Sequence, residues 1–213
     1  MCFSATASFI TGGVLTVVGA VTLKRAVHTA GLPFAAIPLL FGIQQLVEGV
    51  IWLSVPYETM QVRTAATYIY TIFSHVLWPI YIPVAIALIE REPWRRKIMW
   101  GFSAIGIVIG VLLAVLIATQ PLTVVVGEHL IYVVTHHYEW PMMILYITVT
   151  CLAPLCSSYW LIRLLGGLAL LMFIVTYWFY SVALFSVWCF FAAILSTIIY
   201  LFFSSKRALP VAE

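Results

Sequence analysis

Hydrophobic positions in this chain run in long unbroken blocks and do not alternate at period two. A helix needs about 20 mostly apolar residues to cross hydrocarbon. Lipid leaves helices and closed barrels as the only spanning options, and continuity without alternation selects helices. The blocks predict seven spans, roughly Ala5–Leu23, Pro33–Val55, Thr64–Ile89, Ile98–Ala118, Pro141–Ile162, Leu164–Leu184 and Phe185–Phe203. The expected fold class is all-α: a polytopic membrane bundle of seven transmembrane helices, forming one domain over residues 1–213.

Polar positions mark the breaks at Lys24–Pro33, Pro56–Arg63, Glu90–Lys97 and Gln120–Trp140, and Arg163 marks a tight turn between the fifth and sixth spans. From Leu164 to Phe203 there is neither charge nor proline. One helix of that length would reach roughly 60 Å, twice the hydrocarbon thickness, so a turn is expected near Ser181–Ser186. Within the long fourth break, Leu122–Val126 and Leu130–Val134 are β-branched runs flanking Gly127-Glu128, which predicts a short hairpin. Ser4 is placed to cap the first helix.

Composition agrees with this reading. Of 213 residues, 64% are hydrophobic and 8% charged, against about 25% charged in soluble domains. A soluble enzyme, a nucleic-acid-binding domain and a disordered chain are excluded. With seven spans, nine of the ten bases fall on one side and only Arg63 on the other. The positive-inside rule then places the N-terminus outside and the C-terminus in the cytoplasm, in a multi-pass protein of the cell inner (plasma) membrane. The net charge of +3 reflects this topology and not a nucleic-acid partner. The expected partner is the lipid bilayer, with a homo-oligomer or a larger membrane complex left open. No basic n-region precedes the first block, so no cleavable signal peptide is expected.

Candidate chemistry is sparse. There is no Asp, and six of the seven Glu fall in loops or the tail; the exception is Glu48 in the second span. An ionisable group at membrane depth is a functional-site hypothesis by default. Gln44, Gln45 and Trp52 share its helical face, with the two amides expected to orient the carboxyl. His75 is the one mid-membrane histidine, on a face with Tyr68, Thr71 and Pro79. A carboxylate beside an imidazole suits a proton relay, a general-base pair or two metal ligands. The outer loop offers Glu128, His129, His136, His137 and Glu139, with His129 as a third ligand for a divalent metal such as zinc. Removal of Met1 would expose Cys2, whose amine and thiol form a chelating pair or a nucleophile; a disulfide with Cys189 competes with that role. No Lys lies mid-span, which excludes a retinal Schiff base, and a haem held by two histidines lacks its second ligand.

The opening Met-Cys-Phe-Ser-Ala-Thr-Ala-Ser-Phe, the stretch Pro38–Gly49 and the stretch Ser186–Ala193 resemble a family of small prokaryotic multi-span membrane proteins with no assigned function. The resemblance covers the whole chain. It implies a shared fold and importance for Cys2, Gln45 and Glu48, and it carries no activity. Seven spans with an outer N-terminus are also similar to membrane hydrolases of the alkaline ceramidase type, in topology only, because their Asp and His-x-x-x-His are missing here.

The expected site is thus an outward-facing pocket. Glu48 and His75 form its floor, and Cys2 and the His129 loop form its rim. Gln44, Gln45, Trp52 and Tyr68 are the expected substrate contacts, and Glu48, His75 and Cys2 the expected catalytic groups. Three functions fit: a metal-dependent enzyme on a lipid or small membrane-soluble substrate, a proton- or ion-linked transporter or binding module, and a scaffold subunit of a membrane complex.

Overall fold

The computed structural model describes residues 4–26, 29–57, 59–127, 129–134 and 139–205. Six helices are long and apolar enough to cross a membrane. They are α1 (Ala5–Arg25), α2 (Leu32–Ser54), α3 (Met60–Ile89), α4 (Pro93–Thr119), α6 (Trp160–Phe179) and α7 (Ser181–Ser204). A shorter apolar helix, α5 (Trp140–Leu155), lies between α4 and α6. The fold is an all-α, membrane-type bundle with one small hairpin. Ser4 caps α1 as expected, its Oγ accepting from Ala7 N–H at 3.3 Å. Pro93 opens α4 in the first turn, where its missing N–H costs nothing.

The bundle has a basic end and a hairpin end. At the basic end Arg25 donates to Ser204 Oγ at 2.9 Å, and Phe34 packs edge-on to Phe202. Tyr159 donates to the Ile89 carbonyl, and Arg95 donates to the carbonyls of Cys156 and Ser157. These contacts gather the ends of α1, α3, α5 and α7 with the starts of α2, α4 and α6. Lys24, Arg25, Arg91, Arg95, Arg96, Lys97 and Arg163 therefore all lie at this end. At the opposite end β1 (Leu122–Val126) pairs antiparallel with β2 (Leu130–Val134), Leu122 opposite Val134 and Val126 opposite Leu130. The expected hairpin is present, and Tyr132 stacks on Tyr70 of α3 with ring centres 4.4 Å apart.

Two expected boundaries are corrected. The pattern predicts a fifth span over Pro141–Ile162, but α5 stops at Leu155, and the chain turns at 156–158 before α6 begins at Trp160. Arg163 does not make the turn. It lies in the first turn of α6 and reaches back to the carbonyls of Ser157 and Ser158 at 3.1 Å. The turn is held by Glu90, only 3% exposed, whose Oε2 accepts from Ser157 Oγ and Ser158 N–H at 2.8 and 2.9 Å. Its Oε1 accepts from the N–H groups of Arg91 and Glu92. Burial pulls the Glu90 carboxyl upward, but these donors outweigh it and hold it below the usual carboxylate range. The α6–α7 break falls at Tyr180, and α7 opens with a 3-10 turn at Ser181–Ala183, beside the expected Ser181–Ser186.

Many large apolar side chains face outward: Val17 is 64% exposed, Val108 59% and Leu201 54%. Water would not tolerate such a surface, and lipid covers it without cost. Exposed Trp94 and Trp160 ring the basic end, and Trp140, Trp178 and Tyr57 the hairpin end, as aromatic belts do. Between helices, close packing replaces the hydrophobic effect as the cohesive force. A Cβ on Gly19 would stand 2.4 Å from the Leu39 nitrogen, and one on Gly106 would stand 2.0 Å from the Pro79 oxygen. Only glycine lets α1 meet α2, and α4 meet α3, at that distance.

Candidate binding site

The site begins with a proline. In α3 the residues Ile72–Leu77 form a π turn, ending two residues before Pro79. A π turn pairs the Ser74 carbonyl with position 79, where proline has no N–H to give. The Tyr146 hydroxyl of α5, fully buried, donates to that carbonyl instead. The same pattern recurs in α5, where a π turn at Thr148–Leu152 precedes Pro154 by two residues.

The extra residue in the α3 turn changes which side chains share a face. A pure α-helix would put Tyr68 with His75. The π turn instead brings Thr67, Tyr70 and Thr71 round to His75, and these are the buried ones. Tyr68, expected to contact the substrate, is only half-buried and does not line the cavity described below. Tyr70, two residues on, takes the interior place.

Glu48 is fully buried in α2. Its Oε1 accepts from Ser186 Oγ of α7 at 2.7 Å. Its Oε2 has no hydrogen-bond partner among the described residues. Gln44 does not orient it. The Gln44 Oε1 turns to α3 and accepts from Trp78 Nε1 at 2.7 Å, because an indole buried at that depth must find an acceptor. Gln45 is also fully buried, with neither amide atom hydrogen-bonded among the described residues, and the indole nitrogen of half-buried Trp52 is likewise unsatisfied. His75 is 4% exposed; its Nδ1 shares a 2.7 Å hydrogen bond with Ser74 Oγ, and its ring packs on Phe185 at 4.3 Å. Consecutive residues of α7, Phe185 and Ser186, therefore touch His75 and Glu48 respectively.

A cavity of about 260 Å³ opens beside them, between α3, α5, the hairpin and the α6–α7 turn. His75 and Ser186 line it, and Glu48 does not. The expected floor of Glu48 and His75 becomes His75 and Ser186, with Glu48 one hydrogen bond behind the wall. Leu130 and Tyr132 of the hairpin line the cavity. His129 itself is not in the lining; its ring meets Tyr180 edge-on at 5.3 Å.

The expected metal set is not assembled. Among the described residues no three of His, Cys, Asp and Glu come close enough to hold a metal ion. Glu48 is directed to Ser186, His75 to Ser74 and Phe185, and His129 to Tyr180, so each donor turns to its own neighbour. Cys2, Glu128, His136 and His137 lie outside the described residues. Among the described residues Cys151 and Cys189 are buried and form no disulfide.

Sequence reasoning missed Ser186, Tyr146 and Glu90. A serine in an uncharged run carries no signal of its partner 138 positions away. The pairing of Pro79 with a buried tyrosine on another helix is visible only once the π turn is known. Glu90 sits in a charge-rich break, where a solvated carboxylate is the ordinary expectation.

No curated protein and no solved structure matches this chain. Over its whole length, residues 1–213, it matches the model of one family and so belongs to DUF6629, a family of unknown function.

Proposed function

We propose that this protein is a seven-span membrane protein, N-terminus outside, that binds a small ligand in its outer cavity and exchanges a proton or cation at Glu48. The proton- or ion-linked binding or transport module is thus the reading adopted. One observation carries it: the Ser186 hydroxyl lines the cavity and also holds the fully buried carboxyl. An ionised carboxylate in an apolar interior needs a cation or several donors. Glu48 has one donor and no Lys or Arg pairing among the described residues. Its charge state is therefore sensitive to what enters the cavity beside Ser186. The seven-span topology is supported by the gathering of bases at one end, which requires α5 to run from the hairpin end to the basic end. The metal-dependent enzyme has less support, because its three donors face different neighbours.

The test is infrared difference spectroscopy of the full chain in nanodiscs, stepping pH or adding Na⁺ or K⁺. A carboxyl C=O band should change and should vanish in Glu48→Gln. An unchanged spectrum, or one that Glu48→Gln leaves intact, overturns the reading.

A further inference from the structure

The lining of the cavity says what kind of ligand it takes. Five aromatic residues line it: Trp140, Tyr177, Tyr132, Tyr146 and Phe185, with one face of Tyr132 taken by Tyr70 and one side of Phe185 against His75. They come from four separate segments. Trp140 and Tyr177 meet at 5.8 Å with their planes inclined at 66°, and Tyr146 and Phe185 meet at 6.0 Å nearly perpendicular. These two pairs set lining rings at steep angles to one another. No Lys or Arg is among the described lining residues, and neither is a carboxylate at the surface. Behind Ser186 in the wall stands the Glu48 carboxyl. Ring faces are negative, and Glu48, when ionised, adds to their field. An anion would find no Lys or Arg here and only the His75 imidazole as a base, and a strongly hydrated metal ion would find too few oxygen donors.

We infer that the cavity is an aromatic cage for a quaternary ammonium group, free as in choline or carried as a phosphocholine lipid headgroup. The inference rests on the reading that the cavity binds a ligand, and adds its chemical class. A quaternary ammonium is bulky, weakly hydrated and unable to donate hydrogen bonds, so it gives up little on entering a wall of rings. The position at the hairpin end, within an aromatic belt, is where either a solute or a headgroup arrives.

The test uses the full chain in nanodiscs of phosphatidylglycerol, which carry no quaternary ammonium. Choline is titrated against tryptophan fluorescence, beside the neutral analogue in which carbon replaces the nitrogen. Choline should bind saturably and about tenfold more tightly than the analogue. Trp140→Leu and Tyr177→Leu should each weaken choline about tenfold. Trp140 is 58% exposed, so its replacement spares the core, and Trp178→Leu, at a ring 78% exposed and outside the lining, is the control. Competition by a short-chain phosphatidylcholine, stronger or weaker than free choline, identifies the source; binding of either supports the cage. Equal binding of the neutral analogue, or no binding of choline or the lipid, overturns it. If choline fails while the Glu48 infrared band still responds to pH or Na⁺, the cage falls and the binding reading stands.

Discussion

Ser186 Oγ donates to Glu48 Oε1 at 2.7 Å, joining the start of α7 to the C-terminal half of α2. It holds that carboxyl from a residue that also lines the cavity. Ser186→Ala should cost about 1–3 kcal/mol, the penalty for leaving a buried acceptor unmade. On a Glu48→Leu background, which removes the acceptor, Ser186→Ala should cost much less, giving a coupling of about 1–2 kcal/mol. Thermal unfolding of the four proteins in one detergent checks it, and additive losses would count against the pair.

The Tyr146 hydroxyl serves a carbonyl that Pro79 leaves without an N–H. Tyr146→Phe should therefore destabilise by about 1–3 kcal/mol. Pro79→Ala restores an N–H to the turn, and on that background the same substitution should cost under about 1 kcal/mol. Equal costs on both backgrounds would show that the hydroxyl does not stand in for the missing donor.

Glu90 predicts a dependence on acid. Its carboxyl is held below the usual range in the folded protein. The stability it contributes is thus complete above the unfolded carboxylate value, about 4.3, and drains away as pH falls through the lower folded value. Unfolding midpoints measured from neutral pH downward should show this fall, and Glu90→Gln should flatten it. Glu90→Ala, which strands four donors, should cost about 3 kcal/mol at neutral pH.

Gly106 tests the close approach of α3 and α4. A Cβ there would meet the Pro79 oxygen at 2.0 Å, a backbone atom that cannot swing aside. Gly106→Val should abolish a monodisperse peak in detergent. Gly101→Val, where nothing lies within 4 Å, should leave it intact.

What could be read in advance follows a physical divide. Span positions, the hairpin and the burial of Glu48 come from hydrophobicity and charge, which act residue by residue. The half-buried position of Tyr68 could not be read, because a π turn breaks the 3.6-residue period on which face assignment depends. Nor could the end of α5. Apolar residues continue beyond Leu155, and the turn that follows is held by Glu90 and Arg95 from distant sequence and by Arg163 from the next helix. Gln44 illustrates the same limit, since its face was right and its partner, Trp78, was not foreseeable.

The carboxylate and arginines at the basic end have a mechanical consequence. They knot the ends of α3 and α5 and the starts of α4 and α6 into a stiff hub. Both π turns, where helical hydrogen bonding is weakest, lie beyond that hub, towards the cavity. Swelling of the chamber to admit a guest must therefore fan outward from a stationary base, with the largest excursions at the hairpin.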